Sequence, residues 1–131
     1  MTNNKGYLQD KDGNALYPND YDSGWIAISL NSALFKETGA TFPCRERRIG
    51  NIVYLQGLAS SSSAPKDSTV GYVTNKPPKK LYFPLGTSMA EDATGNKAKV
   101  LTIDTEGKVV IHGSSITDAW VTFSGISYPV D

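Results

Sequence analysis

Cysteine and histidine are nearly missing from this sequence of 131 residues. Cys44 is the single cysteine, which excludes an intrachain disulfide and a zinc site built on several thiolates. We expect it to be buried like a small apolar residue. His112 is the single histidine and lies at the end of a predicted strand, outside any nucleophile motif. The sequence therefore predicts no catalytic residue, no metal and no other cofactor.

An excess of one charge is missing as well. Lys plus Arg count 13, and Asp plus Glu also count 13. No field of one sign then draws the chain to a polyanion, so we predict no nucleic-acid partner. The acidic residues fall mostly in predicted turns, and turn geometry explains them without a pair of catalytic carboxylates.

Long hydrophobic runs are the third absence. No apolar run approaches the roughly 20 residues of a membrane span, and residues 1–8 lack the basic and apolar regions of a secretion signal. We predict a soluble chain without membrane insertion, which, if it works outside a cell, reaches there by another route or is released with a larger assembly. Its length fits one ordinary domain with one core.

Residues 45–57 organise what is present, with the sequence Arg-Glu-Arg-Arg-Ile-Gly-Asn-Ile-Val-Tyr-Leu-Gln-Gly. Apolar side chains fall on both faces of the strand that follows Asn51, which predicts a central strand buried on both sides. Gly50 and Gly57 allow sharp exits at its two ends. Three arginines alternate with Glu46, and we expect a solvated edge in which these charges pair with one another.

Two polar turns ending in glycine predict hairpins, one at residues 10–13 and one at residues 104–107. The first also carries the alternating oxygen ligands of a calcium loop, but its glycine is fourth instead of sixth and Tyr21 occupies the glutamate position. A hairpin fits without exceptions. The polar connector at residues 18–24 then predicts an N-terminal hairpin arm over residues 1–23 and a main domain over residues 24–131.

The main domain reads as short strands separated by turns. Residues 25–30 alternate with aliphatic side chains on one face, and the final strand at residues 119–128 places Val121 and Phe123 opposite Trp120, Ile126 and Tyr128. Gly125 is a candidate for a bulge that redirects Tyr128. Prolines confine residues 81–84 to a sheet edge. Residues 59–68 are predicted to be an exposed, mobile loop. The fold class that follows is all-β, an antiparallel sandwich or jelly roll.

Exposed aromatic side chains are the best candidates for binding, because an aromatic face with a polar rim matches a sugar ring. Trp25 and Trp120 lie in strands and are predicted to pack in the core. We predict a saccharide site at loop tips, where Tyr72 stacks on a sugar and Asp92 and Asn96 bind its hydroxyl groups. The segment around Asp92 and Asn96 is compatible with one helical turn or with a surface loop in which both are ordinary turn residues.

Order and spacing of these features resemble a known family. Residues 6–18, Gly-Tyr-Leu-Gln-Asp-Lys-Asp-Gly-Asn-Ala-Leu-Tyr-Pro, are similar to a segment common in tail-fibre and baseplate proteins of phages and prophages of Gram-positive bacteria. The remainder resembles the C-terminal head domain of those proteins. The features that carry this second resemblance are Trp25 onward, residues 47–57, residues 81–84, the Gly107 hairpin and the strand at residues 120–128.

The resemblance implies a β-sandwich head that forms a homotrimer at the tip of a phage tail, contacts other baseplate or tail proteins and binds host cell-wall polysaccharide or teichoic acid. Localisation in the virion would explain the missing secretion signal. We expect a host-recognition module that attaches to saccharide without cleaving it. Two alternatives remain, a structural baseplate or fibre-tip domain that supports other adhesins and a polysaccharide depolymerase.

Overall fold

The computed structural model describes residues 8–9, 15–16, 21–38, 41–84, 98–113 and 115–130. These residues form fourteen short strands in four antiparallel sheets, and none of them is helical. Within the same ranges, no helix is long and apolar enough to cross a membrane. The prediction of an all-β, antiparallel fold is confirmed.

The N-terminal hairpin consists of β1 (Leu8–Gln9) and β2 (Ala15–Leu16), with Leu8 opposite Leu16. Its predicted turn lies outside the described residues. The proposed division at residue 23 stays a prediction. Residues 21–23 bond to the main domain, since Gly50 N donates to Tyr21 O at 2.7 Å and Ser23 N to Arg48 O at 2.9 Å.

Three larger sheets make up the rest of the described chain. The four-stranded sheet has the order β14-β7-β6-β3, the three-stranded sheet β13-β8-β5 and the five-stranded sheet β10-β11-β12-β9-β4. Their strands are β3 (Ile26–Ala27), β4 (Ser29–Leu30), β5 (Lys36–Glu37), β6 (Arg45–Ile49), β7 (Ile52–Gln56), β8 (Leu58–Ala64), β9 (Ser68–Tyr72), β10 (Leu81–Pro84), β11 (Ala98–Ile103), β12 (Lys108–Gly113), β13 (Ile116–Thr122) and β14 (Ser127–Pro129).

The β6–β7 hairpin turns at Gly50, whose φ of 58° suits glycine. β7 is an interior strand between β6 and β14, as predicted. The prediction that both of its faces are buried is wrong. Val53 and Leu55 are buried, whereas Ile52, Tyr54 and Gln56 are exposed. An interior position satisfies the backbone hydrogen bonds of a strand, but it does not cover the strand's second face.

The loop predicted at residues 59–68 is confirmed only at residues 65–67, which are exposed between two strands. Residues 59–64 belong to β8, which lies between β13 and β5, and Ala59, Ser61 and Ala64 are buried. The prediction equated a lack of large apolar side chains with a lack of burial. Small side chains fill the space where neighbouring elements pack closely, so a serine- and alanine-rich strand can be interior.

Residues 26–30 connect two sheets. Ile26 and Ala27 pair with β6, whereas Ser29 and Leu30 pair with β9 of the five-stranded sheet. Ile28 is buried between them, and the predicted alternation of inward aliphatic side chains is confirmed. One short segment therefore ties two sheets together through the core.

The β11–β12 hairpin matches its prediction, with Leu101 opposite Ile111. In its turn Gly107 N donates to Asp104 O at 3.0 Å, and Asp104 Oδ1 accepts hydrogen bonds from Glu106 N and Lys108 N. β10 lies at the edge of the five-stranded sheet, which also confirms the prediction from its flanking prolines.

The last strand is interrupted. Val121 and Phe123 are buried and Trp120 is exposed, but Ile126 and Tyr128 are buried too, so their predicted placement on the face of Trp120 is wrong. A turn at Ser124 and Gly125, where Gly125 has φ of 87°, ends β13, and β14 then pairs with β7 in another sheet. A turn resets the alternation of faces that a continuous strand would keep.

One hydrophobic core contains buried residues from all three larger sheets. Representative members are Val53, Leu55, Ala59, Val70, Leu101, Ile111, Val121 and Phe123. Cys44 is completely buried in this core, as predicted. Burial, with the Glu37 carboxylate as a smaller cause, raises the pKa of the Cys44 thiol to about 12. The thiol is therefore a packing group and not a nucleophile.

Candidate binding site

Both tryptophans face solvent, so the prediction that they pack in the core is wrong. Trp25 is 40 % exposed and Trp120 is 54 % exposed. Exposure alternates from Trp25 onward, with Ile26 half-buried, Ala27 exposed and Ile28 buried, so alternation turns Trp25 outward. Trp120 lies beside buried Val121 for the same reason. The alternation of side chains along these strands indicates that both tryptophans face outward. The prediction instead followed the general preference of tryptophan for protein interiors.

Two arginines of β6 hold the Trp25 ring on the outer side of the four-stranded sheet. The guanidinium carbon of Arg45 lies 4.6 Å from the ring centroid, and that of Arg47 lies 5.6 Å from it. Both residues sit at alternate positions of one strand, so both guanidinium groups reach the same side. Cation–π attraction fixes the exposed ring at this position.

Glu46 does not take part in this surface, and the predicted pairing of the arginines with it is wrong. Its side chain points to the opposite face and is 0 % exposed. The carboxylate accepts hydrogen bonds from Thr74 N at 2.7 Å, Asn75 N at 2.8 Å and Asn75 Nδ2 at 2.7 Å. Strand alternation separates Glu46 from Arg45 and Arg47, so it cannot serve as the acidic partner of either.

Asp22 is the acidic partner of Arg47. Arg47 Nε donates to Asp22 Oδ1 at 2.8 Å, and Arg47 Nη2 donates to Asp22 Oδ2. Gly24 N also donates to Asp22 Oδ1, at 2.9 Å. The bonds from Arg47, followed by the bond from Gly24, lower the pKa of Asp22 from its ordinary value of 3.8 to about 2. The paired hydrogen bonds orient the Arg47 guanidinium plane beside the indole.

A groove of about 260 Å³ has Arg45, but not Trp25, in its lining. Arg45 Nε donates to Gln56 Oε1 at 3.0 Å, which places a guanidinium and an amide side by side at the groove wall. Phe42 is 54 % exposed. The groove is lined by Thr41, Phe42, Pro43, Arg45, Gln56, Gly57 and Ser124.

Gly57 allows the groove walls to meet. Its φ is 120°, and a Cβ at this position would lie 2.3 Å from Pro43 O and 2.5 Å from Cys44 Cα. Gly57 N donates to Ser124 Oγ at 3.3 Å, and Leu58 N donates to Phe42 O at 3.2 Å. Only glycine permits this approach of the 42–44 segment and the 124 turn.

We call Trp25, Phe42, Arg45, Arg47 and Gln56 together the Trp25 site. Exposed aromatic rings can stack on the apolar face of a sugar, while a guanidinium, an amide and the nearby Ser124 hydroxyl can bond its hydroxyl groups. The hydrogen bonds of Arg45 and Arg47 orient these groups in advance, which lowers the entropy lost on binding.

The structure places Tyr72 away from this site. Tyr72 is the last residue of β9, not a loop tip, and lies between Lys108 and Ser29 in the five-stranded sheet. It is 47 % exposed. Asp92 and Asn96 lie outside the described residues. Tyr21 is half-buried, with the guanidinium carbon of Arg48 5.7 Å from its ring centroid.

His112 bridges a carboxylate and a hydroxyl. Its Nδ1 lies 2.7 Å from Asp67 Oδ1, and its Nε2 lies 3.1 Å from Thr102 Oγ1. This order of groups matches a general base with an orienting acid. Thr102, however, is only 2 % exposed, and a nucleophile must be reached by its substrate. We interpret the three side chains as a link between the β8–β9 turn and the five-stranded sheet.

Metal ligation has no matching cluster in the described part of the chain, where no group of three His, Cys, Asp or Glu side chains is placed to hold an ion. No protein-family model matches the sequence, and no curated protein matches it. The chemistry of the Trp25 site therefore rests on its own residues.

Proposed function

We propose that the chain is a host-recognition module of a phage tail, carried on the virion, that binds a cell-surface saccharide without cleaving it. The observation that carries the binding role is the solvent-facing Trp25 ring held by Arg45 and Arg47 beside a groove. The assignment to a phage tail rests on the resemblance of residues 6–18 and 47–57 to tail-fibre and baseplate proteins.

The Trp25 site replaces the loop-tip site as the proposed location of the saccharide. Its groove of about 260 Å³ is slightly smaller than typical small-molecule sites, which begin at roughly 300 Å³. This size suits one sugar unit in the groove at Phe42, with a neighbouring unit against Trp25. Arg45 lies between the two positions, since it contacts the indole and also lines the groove.

The finer architecture that we propose is a β-sandwich head assembled as a homotrimer. A single core with members from three sheets supports face-to-face packing of the sheets. Ile49 and Ile52 are opposite each other and exposed on the outer side of the four-stranded sheet, with Tyr54 nearby. Exposed apolar side chains grouped in this way favour a contact between subunits.

The same apolar group favours the second candidate function, a structural baseplate or fibre-tip domain that supports other adhesins. In that case the Ile49 and Ile52 surface would bind other tail proteins, and the Trp25 site would have no receptor. The two functions differ in which surface adsorption depends on, so variants of each surface separate them.

The first experiment measures binding of the purified chain to host envelope preparations and to a glycan array. We expect saturable binding that Trp25→Ala and Phe42→Ala each weaken by roughly tenfold or more, since they remove the stacking faces. Trp120→Ala is the matched control, because Trp120 is also an exposed tryptophan but lies on the three-stranded sheet. Absence of binding by the wild-type chain, or equal loss with Trp120→Ala, would refute the proposal.

A companion experiment tests the structural alternative. The double variant Ile49→Ser/Ile52→Ser is compared with wild type by mass measurement in solution and by incorporation into tail particles. Loss of assembly with retained saccharide binding by the unassembled chain supports the recognition role and the trimer together. Adsorption that is untouched by Trp25→Ala but abolished by the double variant would favour the structural role. Release of reducing ends from host wall material would instead establish a depolymerase.

A further inference from the structure

A second surface, on the five-stranded side of the molecule, concentrates positive charge. Lys76, Lys79 and Lys80 lie between β9 and β10 and are all exposed. Among the described residues, none of their ammonium nitrogens lies within 4.0 Å of a carboxylate oxygen. Tyr82 follows them on β10 and is 66 % exposed. We call residues 76–82 the lysine segment.

The chain entering the lysine segment is fixed by buried groups. The Glu46 carboxylate accepts three hydrogen bonds from Thr74 and Asn75, and Tyr128 Oη donates to Asn75 O at 2.6 Å. Burial, with Glu46 as a smaller cause, raises the pKa of Tyr128, so its hydroxyl stays a donor. Pro77 is buried as well. A charge withdrawn from water needs such partners, and here they hold the approach to the three lysines in one geometry.

An aromatic ring completes the surface. Lys80 Nζ lies 5.5 Å from the centroid of the Tyr82 ring. Tyr82 is opposite Thr102 on an edge strand, so its ring projects from the same face as the Thr102 side chain. The segment thus presents ammonium groups beside an apolar ring that water largely surrounds.

Among the described residues, the acidic side chains of the adjoining turn at residues 104–107 form no ion pair with these lysines. The turn at residues 104–107 contacts the start of the loop, since Val73 N donates to Gly107 O at 2.8 Å. Asp104 Oδ1 is occupied by two backbone N–H groups, and Lys108 in the next strand adds a further cation. Glu106 is the exposed acid of this turn. In the described loop, the adjoining turn and Lys108, four lysines stand against two acidic side chains, although the chain as a whole has no net charge.

We propose that the lysine segment is a docking surface for an acidic peptide segment of another protein. Carboxylates of the partner would pair with Lys76, Lys79 and Lys80, and an apolar or aromatic side chain next to them would pack on Tyr82. The ring decides between partners, because a phosphate polymer offers no apolar group to cover it, whereas a peptide does. This surface differs from the Trp25 site in sheet, charge carrier and ligand.

The test uses the full chain and a fluorescent glutamate-rich peptide with a central phenylalanine, followed by anisotropy at low and physiological ionic strength. We expect Lys79→Glu/Lys80→Glu to weaken binding by roughly tenfold or more and Tyr82→Ala by about threefold or more. The matched control is Lys36→Glu/Lys66→Glu, which makes the same change of charge at two exposed lysines elsewhere. Control binding should stay within about twofold of wild type.

Three outcomes would overturn the proposal. Equal loss in the control variant would show a response to total charge alone. Inorganic polyphosphate that binds more tightly than the peptide, with no effect of Tyr82→Ala, would assign the surface to phosphate polymers. Absence of peptide binding at low ionic strength would show that the lysine segment is not a docking surface for acidic peptides. Saccharide binding measured on the same variants should be unchanged, so this result is independent of the proposed receptor site.

Discussion

The outer sides of the four-stranded and five-stranded sheets carry similar side chains in different arrangements. On the first, Trp25 contacts two arginines, one fixed by Asp22 and the other by Gln56, beside a groove. On the second, Tyr82 contacts Lys80, which has no ion pair among the described residues. Aromatic residues next to cations are common to both. Planar, oriented guanidinium groups suit the binding of hydroxyls, whereas ammonium groups act as point charges.

Among the substitutions that test this comparison, the largest effect is expected at Gly57, where the walls of the groove on the four-stranded sheet meet. Gly57→Ala puts a methyl group 2.3 Å from Pro43 O at φ of 120°, and we expect a loss of about 3 kcal/mol or more in the free energy of unfolding. Chemical denaturation measures it.

Gly125→Ala is the control for this prediction. Gly125 also has positive φ, at 87°, but a Cβ there would meet nothing within 4 Å. We expect a loss of about 1 kcal/mol, from backbone conformation alone. Equal losses in the two variants would show that close packing at the groove does not matter.

Binding provides the next largest contrast. Trp25→Ala should lower saccharide affinity by about tenfold or more, because the stacking ring is removed, while Tyr72→Ala should change it by less than about twofold. Isothermal titration with the saccharide selected on the glycan array gives both values. A larger loss of affinity with Tyr72→Ala than with Trp25→Ala would place the saccharide site on the five-stranded sheet.

Acid should weaken the Trp25 site by protonating the Asp22 carboxylate that pairs with Arg47. The pKa of Asp22 is about 2 in the folded chain against 3.8 ordinarily, so its carboxylate favours the folded arrangement above pH 3.8, and this contribution is lost as pH falls toward 2. Binding to the Trp25 site should decline only as pH approaches 2, where Asp22 of the folded chain becomes protonated and Arg47 loses its partner. Asp22→Asn should bind more weakly at neutral pH and should lack this part of the pH dependence.

The smallest effect is expected at His112 on the second side. His112→Gln should cost less than about 1 kcal/mol in stability, because His112 and Asp67 are both partly exposed to solvent. Saccharide binding should be unchanged. Loss of a measurable polysaccharide-cleaving activity in this variant would contradict our interpretation of the histidine as a structural link.

Local chemistry explains which predictions from sequence succeeded. The Asp104–Gly107 turn forms because an aspartate side chain and a glycine with positive φ satisfy it without help from distant residues. The edge position of β10 follows from its flanking prolines in the same way. Such features depend on a few adjacent residues, and those residues are visible in the sequence.

The predictions that failed concern which side chains are buried beneath another part of the chain. Trp25, Tyr54 and Ser61 were assigned from typical preferences of their residue types, yet two are exposed and the serine is buried. Alternation shows that neighbouring side chains point to opposite faces, but it does not show which face another sheet covers. The Trp25 site could not be predicted from the sequence for the same reason, because its residues come from β6, β7 and the segments just before β3 and β6.

The sequence alone determined an all-β chain with antiparallel hairpins, since strand periodicity and turn chemistry act over a few residues. Tertiary structure decided which face of each strand meets the core. It also placed Glu46 in the interior, where its carboxylate binds the backbone at residues 74–75, whereas Arg45 and Arg47 face solvent and contact Trp25. Burial depends on the packing of segments that are distant in sequence, and that packing created the surfaces on which binding is proposed.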